Sequence, residues 1–141
     1  MSKKSPKIAA LIAHRQGAAW PAAYLGYFDC FNQGLYFEAH DVLEELWLVG
    51  GRTASNYAYH KGLIQLAGAF VHLQKNRLGP AVALFNLAEA NLQKYPSVHD
   101  ACDVAAILAL AQSWRADLLA GQDPSNPLTR RPAPQLRVPG V

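Results

Sequence analysis

The chain has 141 residues, 51% hydrophobic and 16% charged, which suits one domain with a full apolar core and excludes a disordered chain. Its net charge of +3 resides in the ends: Lys3, Lys4 and Lys7 lead, Arg130, Arg131 and Arg137 follow, and residues 8–129 hold seven basic against ten acidic residues. A body of net negative charge argues against a nucleic-acid-binding face.

Residues 1–17 are predicted to be a basic lead, in which Ile8–Ala13 forms at most a helical turn or two and is too short for a secretion signal. No apolar run nears the roughly 18 residues that a membrane span needs. The bundle proper is expected over 18–121. Trp20-Pro21 opens its first helix, Tyr24, Leu25, Phe28 and Phe31 follow at helical spacing, and Gly34 marks the stop. A second helix runs from Tyr36 to about Val49, with Ala39, Val42, Leu43, Leu46 and Trp47 inward and Gly50-Gly51 at its end.

The third helix, capped by Ser55 or Asn56, runs to Lys75 or Asn76 and is apolar nearly all round, which makes it the central helix. Gly62 and Gly68 each cost it about 1 kcal/mol relative to alanine, a cost tolerated where another backbone comes close. Pro80 sits at the start of a fourth helix that ends near Lys94. Asp100 is expected to cap a fifth, ending at Gly121. Residues 122–141 hold five of the nine prolines and are predicted to be an extended tail lying along the body. No strand pattern competes.

Phe31–Trp47 contains four of the ten acidic residues and is the densest group of ionisable side chains. On a wheel of 100° per residue, Glu38, Asp41 and Glu45 fall on the far side, toward water. His40 and Glu44 fall one turn apart at the apolar edge, beside Trp47. On the third helix Gln65, His72 and Asn76 share a polar stripe with Gly68 and Ala69 between them. The small residues admit a close neighbour, and the edge carrying His40 and Glu44 is the expected one. The result is a polar cluster of His40, Glu44, Trp47, Gln65 and His72, with Tyr36 and Asn32 at its rim.

In a structural reading the cluster is a satisfied hydrogen-bond network that sets helix register. In a functional reading His40, Glu44 and His72 form a metal or catalytic site. Their spacing matches neither His-Glu-x-x-His nor Glu-x-x-His, and a plain small-molecule pocket over the same residues remains open. His14, His60 and His99 read as surface residues. Cys30 and Cys102, in apolar helical settings, read as buried free thiols of a cytoplasmic protein. Phe37 and Leu48, apolar among the acids, suit a partner surface, contact with a tail or ordinary scattered exposure, and a protein partner or a second copy of the chain is the kind of partner expected.

Phe31-Asn32-x-Gly34-x-Tyr36-Phe37-Glu38-Ala39-His40-Asp41-x-Leu43-Glu44-x-x-Trp47, followed by Gly62-Leu63-Ile64-Gln65-Leu66-Ala67 and His72, resembles domain-of-unknown-function family 309. The resemblance covers roughly residues 22–95, and the family's usual glutamate is replaced here by Asp41. It implies a compact helical bundle and directs attention to His40, Glu44, Trp47, Gln65 and His72. It carries no activity.

The sequence thus describes an all-α protein, a compact bundle of about five helices with antiparallel neighbours and an extended proline-rich tail. The function it favours is a small cytoplasmic binding or interaction protein without cofactor. The alternative is a metal-assisted hydrolase or small-molecule-binding enzyme in which His40, Glu44 and His72 hold a divalent metal.

Overall fold

The computed structural model describes residues 6–120 and 125–140. Lys3 and Lys4, the predicted helix end at Gly121 and tail residues 122–124 lie outside them. The chain is all-α, with six α-helices among the described residues: α1 Pro6–Ile12, α2 Ala22–Asn32, α3 Tyr36–Gly50, α4 Tyr57–Gln74, α5 Leu78–Leu92 and α6 Val104–Leu118. The additional helix is α1, built on the apolar segment of the lead. Among the described residues no helix is long and apolar enough to cross a membrane.

Local chemistry sets the joints. Gly34 takes φ +77°, its N–H donates to Phe31 O at 3.0 Å, and Leu35 N–H donates to Cys30 O at 2.9 Å. This paired closure satisfies two carbonyls left over at the end of α2. Asn76 does the same for α4. It sits at φ +56° while its own N–H reaches Leu73 O and that of Arg77 reaches His72 O. Asn76 therefore ends the helix and leaves the polar stripe predicted for it. Pro80 falls in the first turn of α5, where its missing N–H costs nothing.

Helix α4 is central, packed against α3 and α5. Its Phe70 is fully buried and is the hub of the core. The ring meets Phe31 of α2 at 5.4 Å, Tyr36 of α3 at 5.2 Å, Phe85 of α5 at 5.2 Å and Trp114 of α6 at 4.9 Å between centroids. The Tyr36 ring is stacked on Phe70 and the other three meet it edge to face, and both arrangements add to the stabilisation from burial alone.

One expectation fails between α5 and α6. Asp100 does not cap the last helix. Asp103 does, its Oδ1 accepting from Ala106 N–H at 3.0 Å. Residues 98–103 instead fold into a small antiparallel hairpin, β1 Val98–His99 against β2 Cys102–Asp103. Asp100 and Ala101 form its turn at φ +48° and +58°, the conformation that tight two-residue hairpins require. Polar contacts fix this turn to the bundle. Asn56 Nδ2 donates to Asp100 Oδ2 at 2.7 Å, and its Oδ1 lies 2.8 Å from His99 Nε2. Tyr24 Oη bonds Tyr59 Oη at 2.6 Å and donates to Asp100 O at 3.0 Å. His60 is buried and His99 half-buried beside these groups, so neither is the surface residue its position near a helix end suggested.

Beyond α6 the chain returns across the body. Asn126 Nδ2 donates to Leu73 O at the end of α4, and a 3-10 turn follows over Pro127–Thr129. Arg131 lies over the Trp114 ring at 4.2 Å. Leu136 is buried against α2 and α6.

Candidate functional site

A cavity of about 260 Å³ opens between α3, α4 and α5. Helix α3 contributes Phe37 and His40, one turn apart with their rings stacked at 6.2 Å. Helix α4 contributes Gln65 and His72 together with Ile64, Gly68 and Val71, and α5 contributes Leu84. The helical period explains the set: 64 and 65, 68, 71 and 72 follow one another up a single face of α4.

Of the predicted cluster, His40, Gln65 and His72 come together on this cavity, whereas Glu44 and Trp47 are not among its lining residues. Glu44 is half-buried on α3. Trp47 packs its ring against Tyr57 at 5.3 Å, with its buried Nε1 lacking a partner. Tyr36 is also buried with an unpartnered hydroxyl, and its ring stacks on Phe70. Asn32 belongs elsewhere, on the returning tail. Among the described residues no three His, Cys, Asp or Glu side chains gather closely enough to hold a metal ion.

Gly68 of α4 faces a different neighbour from the one expected. A Cβ at Gly62 would lie 2.9 Å from Leu92 Cγ, and one at Gly68 would lie 3.2 Å from Leu84 Cδ1. Both contacts are on α5. The wheel assigned the small residues Gly68 and Ala69 to α3 and named no neighbour for Gly62. Because α5 comes this close, Asn91 reaches Gln65, with Nδ2 donating to Oε1 at 2.7 Å. Asn91 was missed by sequence reasoning, although its position three residues after inward-facing Ala88 was a usable signal.

The three polar groups on the cavity differ in character. His40 Nδ1 lies 3.2 Å from Asp41 Oδ1. A neutral ring that donates there presents Nε2 as an acceptor. Gln65, whose oxygen is taken by Asn91, keeps its NH₂ group as a donor. His72 Nδ1 is buried with no hydrogen-bond partner. Burial first, then the positive charges of Arg77 and Lys75, hold the His72 pKa below the ordinary histidine range. The site therefore offers an acceptor, a donor and a neutral-leaning imidazole around an apolar floor. Such groups can orient a ligand without supplying a nucleophile.

Residues 24–91 match the family model described as domain of unknown function, DUF309. This stretch is a DUF309 domain. It runs from the first buried aromatic of α2 to Asn91 at the end of α5, so every residue lining the cavity lies within it. The hairpin, α6 and the tail lie beyond the match. No curated protein and no solved structure matches the chain.

Proposed function

We propose that this protein is a small cytoplasmic binding protein, and that the α3–α4–α5 cavity of its DUF309 domain is the ligand site. The observation that carries this reading is the convergence of His40, Gln65 and His72 on one open cavity with otherwise apolar walls. Apolar walls with a few convergent polar groups are the usual make-up of small-molecule pockets. The Phe37–His40 stack and the mixed donor and acceptor groups favour an uncharged planar molecule, or a planar side chain of a partner, that presents both hydrogen-bonding senses. The two free buried thiols, Cys30 and Cys102, are in keeping with a reducing compartment.

Amide chemical shifts of the labelled protein, titrated with benzamide, nicotinamide or adenine, test this reading. Shifts confined to α3, α4 and α5 at millimolar ligand are expected. They should vanish in Gly68→Leu, whose side chain fills the floor. Absence of any localised shift with all three probes rejects the reading. Stoichiometric Zn²⁺ binding through the His40 and His72 rings would replace it with a metal site.

A further inference from the structure

We propose that the surface between the end of α2, the outer face of α6 and the hairpin is a receptor groove for extended arginine- and proline-bearing peptides. Residues 130–140 are its resident ligand in cis, and a partner protein carrying such a segment is the ligand in trans. This proposal is independent of the α3–α4–α5 cavity.

The first support is a clamp on backbone. Asn32 Nδ2 donates to Leu136 O at 2.7 Å, and Leu136 N–H donates to Asn32 Oδ1 at 2.6 Å. A side-chain amide placed this way offers an extended residue the same donor–acceptor pair that a neighbouring strand would offer. It recognises conformation and leaves side-chain identity open. Gln135 Nε2 completes the contact by donating to Asn32 O at 3.0 Å, one of the carbonyls stranded at the end of α2.

The second support is alternation. Pro134 and Leu136 are buried while Ala133, Gln135 and Arg137 are exposed, the period of an extended peptide laid on a surface. Prolines pre-set this conformation and lower the entropy lost on docking.

Third, charge fixes the register. Arg130 and Arg131 both reach Asp117, and Arg131 also bonds Ser113 while stacking on Trp114. A charged end, a backbone clamp and apolar sockets in sequence are the parts of a peptide site.

A partner is implied because the resident segment underfills the groove. A cavity of about 140 Å³ remains beside Leu136, with Cys102, Ala106, Ile107 and Leu110 as its apolar wall and Asp103 and Arg137 as its charged rim. A bulkier apolar anchor at that place occupies it. In the intact chain the tail competes at an effective concentration of about a millimolar or more, so a partner segment binds only by fitting better or when the tail is displaced.

The test uses full-length chains. Leu136→Asp removes the apolar anchor, and Arg130→Glu/Arg131→Glu repels the tail from Asp117 while also lifting the Arg131 stack from Trp114. Hydrogen exchange at residues 131–140 reports tail release. Fluorescence anisotropy reports binding of a labelled peptide of residues 129–140, and of the same peptide carrying Leu136→Phe. Released variants should bind the peptide about tenfold or more tighter than the wild type, and the Leu136→Phe peptide tighter still. Adding Asn32→Leu should abolish binding. The proposal is overturned if released, folded variants bind no better than wild type, or if Asn32→Leu changes nothing. It is equally overturned if the tail stays docked in both variants, since the segment is then a fixed part of the bundle.

Discussion

Asn91 of α5 holds Gln65 of α4 through an amide–amide hydrogen bond of 2.7 Å. The bond leaves the Gln65 NH₂ group directed by a partner outside the cavity, so α5 orients a group that α4 presents. Lys94 Nζ donates to Asn91 Oδ1 at 3.2 Å and restrains Asn91 in turn.

Asn91→Ala should therefore destabilise the fold by about 1–2 kcal/mol, because Gln65 Oε1 loses its partner in a half-buried place. Gln65→Leu alone should cost a similar amount. The double variant should cost clearly less than the two together, with a coupling of at least about 0.5 kcal/mol in urea unfolding. Strict additivity would mean that the bond does not contribute.

The glycines of α4 give a prediction of opposite signs. Gly62→Ala gains about 1 kcal/mol of helix propensity. Its new methyl, however, meets Leu92 Cγ at 2.9 Å and Asn91 Cβ at 3.2 Å, and Leu92 is fully buried. Overpacking of this kind costs about 1–3 kcal/mol, so the denaturation midpoint should fall. Gly68→Ala meets only Leu84 Cδ1, the far end of a half-buried side chain, at 3.2 Å. That end can turn aside, so the propensity gain should survive and the midpoint should hold or rise. A stabilised Gly62→Ala would contradict the close approach of α5.

These two glycines also show how far the sequence could be read. Helical period placed α2 to α6, and Gly34 announced the end of α2 because that turn needs positive φ. The wheel put His40, Gln65 and His72 on edges that meet. It could not say which helix lies over Gly62 and Gly68, because a wheel ranks faces and does not choose neighbours. Asn32 lay beyond reach for another reason: its partner Leu136 is 104 residues away, and the bond is to backbone, which leaves no trace in residue type. The hairpin strands, two residues each, are too short to alternate visibly. Asn56 held its predicted capping position, but its side chain makes no cap bond and serves Asp100 instead.

His60 sets a pH dependence. It is buried near the Tyr24 and Tyr59 rings, with Asp100 and His99 as its charged neighbours. Burial lowers its pKa below the ordinary value of 6.5, Asp100 opposes the shift and His99 adds to it. The unfolded chain then binds the proton more readily than the folded one. Stability is full above about pH 6.5 and declines as pH falls from there toward the folded pKa. His72 is lowered in the same direction and acts in the same window. Asp29 and Asp117, held below the ordinary carboxylate range by Arg15 and Arg130, lose their contribution only at lower pH. Urea midpoints measured between about pH 8 and 5 should fall in the wild type. His60→Gln should flatten much of that fall, and His60→Gln/His72→Gln should remove nearly all of it. A wild-type profile that is level through this range, or a double variant that keeps the full slope, would show that neither imidazole is held neutral by the fold.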